Sequence, residues 1–264
     1  MKKIFTALHR SLSARLSFAV MLFVAVIFVG AFSIMFSEAR DIIREEAWGK
    51  ATQTLEGTVL HIDNTLRRVE VASDNLLRVI ERNLDKPDSM FSISKQVLVN
   101  NTELTGCSIS FEPYFFEDQG KYFSIYSTNE DGHIETEQEG SDDYDYFMMT
   151  WYQEPIRKGK ACWVDPFHDY TPGTSYDMMI ASYCKPLIDA KGRTIGVIST
   201  DLSQRKLSQI LLKERLYPNA YFIISGESGH LIATSNDQAL PDDLNRSDCL
   251  VVSLTLPNTN WELS

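Results

Sequence analysis

The sequence predicts an α+β protein carried on one membrane-crossing helix. Three observations point there: a charge-free apolar run near the N-terminus, a long helix-period stretch behind it, and a series of strand-like segments separated by turn signals. With 44% hydrophobic and 11% aromatic residues in 264, the chain can bury a substantial core, which excludes wholesale disorder.

Residues 1–15 carry Lys2, Lys3, Arg10 and Arg15 and no acid, and read as a cytoplasmic N-terminus. Leu16 to Phe36 then contains no charge, and about 20 apolar residues suffice to cross a bilayer of about 30 Å, so 16–36 is expected to be a transmembrane helix. Glu38, Asp41, Glu45 and Glu46 follow, with Arg40 and Arg44 among them. The positive-inside bias therefore places the N-terminus in the cytoplasm and everything from residue 37 outside. A cleaved signal peptide is the alternative. The run exceeds the apolar core of about 7–15 residues typical of such peptides and ends in no clean small-x-small cleavage site, which favours an uncleaved anchor.

Residues 37–86 contain no proline, and Leu55, Val59, Ile62, Leu66, Val69, Ser73, Leu76 and Ile80 alternate steps of four and three, which keeps them on one stripe of a helix. Some 47 helical residues at 1.5 Å each reach about 70 Å, the length of a stalk. The stripe has two possible uses: packing on its own globular domain, or on the same helix of a second subunit. A homodimer through at least the membrane-near half is expected.

Pro87 and Asp88 end the stalk, and Ser89 to Asn101 reads as a short second helix. Five strands follow at 106–111, 121–128, 161–165, 177–187 and 193–202, divided by turns such as Glu130-Asp131-Gly132 and Ala190-Lys191-Gly192. Asp145 to Arg157 reads as a short helix running into a loop, and Ser203 to Arg215 as another helix. These pieces make an antiparallel five-stranded sheet module over 87–215. Residues 216–264 open with a hairpin, Tyr221–Ser225 and His230–Ser235, and continue to strands at Cys249–Leu256 and at the final NWELS. That small second α/β module is too short for an independent core.

Charge and motifs narrow the function. The chain carries a formal −11, and its first 37 residues hold four positive charges and no acid, so the remainder carries −15 and would repel nucleic acid. No GxSxG, HExxH or GxxxxGK[ST] occurs, and no cofactor or enzymatic activity is expected of this segment. Cys107, Cys162, Cys184 and Cys249 form no CxxC pair; Cys162 and Cys184 lie in neighbouring predicted strands, where either a bridge or separate thiols is open. The acidic run Glu135, Glu137, Glu139, Asp142, Asp143 and Asp145 lacks calcium-loop spacing and reads as a solvated loop. His61, His133, His168 and His230 are scattered without metal-ligand spacing. Tyr144, Tyr146, Trp151 and Tyr152 form an aromatic cluster with polar tips, the composition small-molecule pockets favour; the bland reading is simple core.

GCSISFEPYFF, WYQEP, GKACWVDPFHDY and MIASYCKPLIDAKGRTIGVISTDLS, in this order behind a stalk and a membrane helix, resemble the Cache sensor domains of bacterial receptors, most closely their double-Cache form. The resemblance implies a PAS-like, membrane-distal module with a ligand pocket at 87–215, a partial membrane-proximal module at 216–264, and a periplasmic or otherwise extracytoplasmic location outside the inner (cell) membrane. It implies a further membrane helix and an output module, a histidine kinase, chemotaxis receptor or phosphatase, in a longer protein. Carried over by position, the implied ligand contacts are Tyr144, Met149, Trp151, Tyr152, Phe167, Asp169 and Asp201. Amino-acid-binding members carry an arginine where this chain has Met149, and an aspartate where it has Asp201. A carboxylate ligand would lose a bidentate hydrogen-bonded partner at Met149 unless Arg157 or Lys185 substitutes. Asp201 with the aromatics would suit an amine-bearing ligand. An extracytoplasmic adhesion or protein-binding module is the competing function.

Overall fold

A computed structural model of the chain describes residues 12–169, 178–215, 217, 220–227, 229–236 and 251–264, with the backbone alone at 14, 168, 169 and 178. Helix α1 (Leu12–Glu81) crosses the boundary between two compact units, 1–53 and 54–264. In the first unit the described apolar side chains of the 16–36 run are exposed, Phe23, Val26, Phe28 and Phe32 among them, and α1 is the one described helix long and apolar enough to cross a membrane.

In the second unit the predicted stripe is buried: Leu55, Ile62, Leu66, Val69, Ser73, Leu76 and Ile80 are inside and Val59 is half-buried. The stripe from Leu55 onward is thus used by the chain's own globular unit, since these side chains share one apolar cluster with strand residues Cys107, Ile109 and Ile198. Each Leu, Ile or Val removed from water there contributes about 1.5–3 kcal/mol of transfer free energy. Helix α2 (Ser89–Asn100) docks on the same side, where Ser94 Oγ bonds the Cys107 carbonyl at 2.9 Å and Ser127 Oγ at 2.8 Å.

Strands β1 (Gly106–Phe111), β2 (Ser124–Glu130), β3 (His133–Glu139), β4 (Cys162–Asp169), β5 (Met178–Ile188) and β6 (Thr194–Ser203) form one sheet in the order β3-β2-β1-β6-β5-β4, every pair antiparallel. The α+β class is as expected, but the sheet has six strands where five were predicted. The additional strand holds Glu135, Glu137 and Glu139, expected in a solvated loop. As an edge strand β3 pairs only with β2 and turns Glu135 and Glu137 to water, whereas Glu139, opposite Ser124, is buried; the expected solvated loop is thus corrected for the backbone, which is hydrogen-bonded, and for that one acid. At the centre, a Cβ on Gly196 would lie 2.1 Å from the Ser110 carbonyl oxygen, so the close approach of β6 to β1 demands glycine there.

Between β3 and β4 lie a 3-10 turn, Tyr146–Met148, and α3 (Thr150–Lys158). After β6, Ser203 Oγ accepts the Lys206 N–H at 3.2 Å and caps α4 (Gln204–Glu214), whose Leu207 and Leu211 are buried. A second sheet follows, β7 (Ile223–Ser225), β8 (Leu231–Thr234), β9 (Leu254–Thr255) and β10 (Glu262–Leu263), in the order β8-β7-β10-β9. Its Phe222, Ile224, Ile232, Leu256, Trp261 and Leu263 join the apolar cluster that α1 and the first sheet form, as a segment too small for its own core must. Among the described residues this second module contributes strands and no helix; Cys249 lies outside the described residues.

Candidate ligand-binding site

Because strand side chains alternate, the six-stranded sheet has two unlike faces. The face carrying Cys107, Ile109, Phe111, Ile125, Ala181, Ile198 and Leu202 packs on α1 and α2. The opposite face carries Ser108, Ser110, Ser124, Tyr126, Ser182, Cys184, Val197, Ser199 and Asp201, and each of these is buried. A covered sheet face is ordinarily filled with branched apolar residues. Here small hydroxyls take their place and satisfy one another across strands, Ser110 Oγ with Ser124 Oγ at 2.7 Å and Ser108 Oγ with Ser199 Oγ at 3.2 Å. Ser182, 1% exposed, has no hydrogen-bond partner for its Oγ among the described residues.

Asp201, opposite Gly106 on β1 and Ser182 on β5, is 1% exposed. A Cβ on Gly106 would meet Asp201 Oδ2 at 2.5 Å and the Tyr126 hydroxyl at 2.6 Å, so the missing side chain is what lets carboxylate and phenol converge above β1. The charge is felt nearby: burial first, and Asp201 second, push the Cys184 thiol far above its ordinary range.

Over the Val164, Cys184 and Val197 part of this face lies an aromatic layer from the 3-10 turn and α3. Asp145 starts that turn by accepting the Phe147 N–H at 3.1 Å. Tyr146 is its centre: fully buried, it donates its hydroxyl to the Phe111 carbonyl at 2.8 Å and accepts the Phe123 N–H at 3.2 Å. Its ring lies 5.4 Å from Tyr152 and 6.3 Å from Trp151. Tyr152 in turn donates to Glu112 Oε1 at 3.0 Å. Burial raises both phenols well above their usual range, so they stay neutral donors.

Of the positions singled out from the sequence, Tyr144, Met149, Trp151, Tyr152 and Phe167 gather in this one cluster. Asp201 shares their face of the sheet, four residues along β6 from Val197. Asp169 ends β4, and its side chain lies outside the described residues, as does that of His168. The two basic groups named as possible carboxylate partners are engaged elsewhere: Lys185 Nζ meets Asp74 Oδ1 of α1 at 2.5 Å on the other face, and Arg157 pairs with Glu154 on the outside of α3. The serines, Gly106 and Tyr126 were not singled out, although the alternation of serine with apolar residues in 106–111 carries the signal.

Residues 90–209 match the family model of the first PDC sensor domain of proteins like the methyl-accepting chemotaxis proteins. Those residues are a PDC sensor module. Solved structures share the fold at low identity. A methyl-accepting chemotaxis protein X aligns at TM-score 0.66 and 16% identity over 84% of this chain and 97% of that one. The ligand-binding domain of the Campylobacter jejuni chemoreceptor Tlp3 with L-norvaline aligns at 0.56 and 16%, over 77% and 75%. The extracellular domain of a proposed histidine kinase, soHK1S-Z6, aligns at 0.56 and 19%, over 67% of this chain and 66% of that one, so this chain spans about two thirds of that relative. No curated protein matches the chain. An open groove of about 740 Å³ outside the candidate site lies between α1 and α2, where Arg67 and Arg68 are paired with Asp63 and Glu103.

Proposed function

We propose that the PDC module is the extracytoplasmic input of a membrane receptor and binds a small amine-bearing molecule between the aromatic layer and Asp201. The observation that carries this reading is the buried Asp201 carboxylate on a floor of small hydroxyls beside Tyr126, with an aromatic layer on the same face. A carboxylate, hydroxyl acceptors and aromatic faces recognise an ammonium through ion pairing, hydrogen bonds and cation-π contact. Tyr144, Met149, Trp151, Tyr152, Phe167, Asp169 and Asp201 are the proposed contacts.

The Tlp3 domain aligned above holds L-norvaline, and the ligand-binding domain of Mlp24, similar at TM-score 0.55 and 14% identity, holds asparagine. These support an amine as the shared recognition element. Met149 stands where the resemblance implies an arginine in amino-acid-binding members, which favours amines lacking an α-carboxylate.

In the same reading residues 16–36 cross the inner membrane with the N-terminus inside, the membrane-near part of α1 pairs two chains, and the output module is a chemotaxis or kinase type. Ligand binding then shifts the equilibrium between two packings of the sheet on α1, which requires unequal affinity for them. A thermal-shift screen of the detergent-solubilised chain against simple amines, amino acids, organic acids and purines tests the binding. Stabilisation by amines that Asp201→Asn and Trp151→Ala abolish supports it. Stabilisation by carboxylates alone refutes the amine assignment, and no hit together with retained capture of a protein partner supports the adhesion reading instead.

A further inference from the structure

Cys162 on β4 and Cys184 on β5 are direct Cα partners in the antiparallel ladder, and both thiols are free. Directly opposed residues in such a ladder have Cα atoms about 4.5 or 5.5 Å apart, depending on the hydrogen-bonding phase, and both spacings lie within the roughly 4.4–6.8 Å that a disulfide spans. Both side chains belong to the aromatic-layer cluster, so they point to the same face of the sheet. They differ in access. Cys184 is fully buried, whereas Cys162 is half-buried on the edge strand; burial, aided by Glu154, raises its thiol, and Lys158, Lys160 and Arg157 only partly oppose that rise.

We propose that Cys162 and Cys184 are a redox pair that closes to a cross-strand disulfide in an oxidising compartment, Cys162 being the thiol that meets the oxidant. The oxidant is a disulfide donor. The Cys162 thiolate attacks one donor sulfur and expels the donor's first thiolate; the Cys184 thiol then loses its proton and attacks the Cys162 sulfur of the mixed disulfide, expelling the second. The pair loses two electrons and two protons, and the donor gains both as two thiols. Cys107 takes no part. It lies on β1, on the opposite face of the sheet, buried and with its thiol raised by that burial.

The bond would act where β4 is most connected. Val164 and Phe167 on β4 belong to the candidate site; Trp163 Nε1 donates to Glu70 of α1 at 3.0 Å; Asp165 Oδ1 accepts from Trp261 Nε1 of the second sheet at 2.7 Å. Pinning β4 to β5 therefore fixes the strand through which the site touches both the long helix and the second sheet. The physiological role rests on the extracytoplasmic location proposed above; the chemistry does not.

The test equilibrates the full chain, in detergent, with stepped ratios of reduced to oxidised glutathione. Free thiols are then blocked with a maleimide in denaturant and the peptides mapped by mass. The expected result is a linked Cys162–Cys184 peptide pair two hydrogens lighter than the sum of its parts. Maleimide labelling of both cysteines falls by at least about tenfold across the titration while Cys107 stays labelled. In Cys184→Ser, glutathione accumulates on Cys162. Full labelling of both cysteines in oxidised glutathione overturns the proposal, and so does a bond from either of them to Cys107 or Cys249. No ligand is needed and the buffer sets the redox poise, so failure here is distinguishable from failure of the ligand or location readings.

Discussion

Two serines on the same sheet face give predictions of opposite sign. Ser182 and Ser199 are 1% and 4% exposed, yet Ser199 Oγ is bonded to Ser108 Oγ and Ser182 Oγ has no partner among the described residues. A buried polar group left unpaired costs about 1–3 kcal/mol. Ser182→Ala removes that cost and leaves a gap of one oxygen, which returns up to about 1 kcal/mol. The net gain is about 1 kcal/mol, or about 2–4 °C in Tm for a unit of this size. Ser199→Ala instead strands the Ser108 hydroxyl and loses about 1–3 kcal/mol, lowering Tm by about 2–4 °C per kcal/mol. Urea unfolding of the ligand-free chain, with equal slopes for both variants and the parent, measures the difference directly. If both substitutions shift stability in the same direction, the contrast between an unpartnered Ser182 hydroxyl and a paired Ser199 hydroxyl is wrong.

Three further outcomes are expected. Gly106→Ala drives a methyl into Asp201 and Tyr126 and should cost about 1–3 kcal/mol of stability while abolishing any amine-induced thermal shift, read in the same melting assay. Trp163→Phe removes the hydrogen bond to Glu70 and should destabilise by about 0.5–1.5 kcal/mol in urea unfolding, with the ladder pairing of β4 kept. Burial, then Glu70 and Asp74, push the Tyr183 phenol up to about 12 from 10.0; the folded state thus holds a proton that the unfolded state releases, so its contribution to stability is intact below pH 10 and disappears between pH 10 and 12. Tyrosinate absorbance followed with circular dichroism should show ionisation and unfolding coinciding there, and Tyr183→Phe should weaken that pH dependence.

The elements that the sequence made legible are those with a strong period or a strong breaker. The stripe from Leu55 to Ile80 predicted both the helix and its buried side, because eight apolar or small residues at helical spacing make a face that some surface must cover. Which surface covered it was not legible, since periodicity does not distinguish a sheet from a second helix. Strand β3 was hidden for a different reason: Glu135, Glu137 and Glu139 alternate with Ile134, Thr136 and Gln138, but acids at an edge look like acids in a loop. The aromatic cluster was legible from its density between Tyr144 and Tyr152, and its contacts at 4–6 Å bind it into a layer. The floor beneath it was not, because Ser108 joins Ser182 and Ser199 in one surface only when β1, far along the chain from the β5–β6 hairpin, is laid beside β6.

The shared core of the two sheets has a practical side. The family match stops at residue 209, but Trp261, Leu256 and Phe222 fill space under the first sheet, so a fragment cut at that boundary would present a raw apolar surface to water. In this chain the stretch that inheritance delimits is smaller than the body that shares one core, and scissors at residue 209 would divide that core.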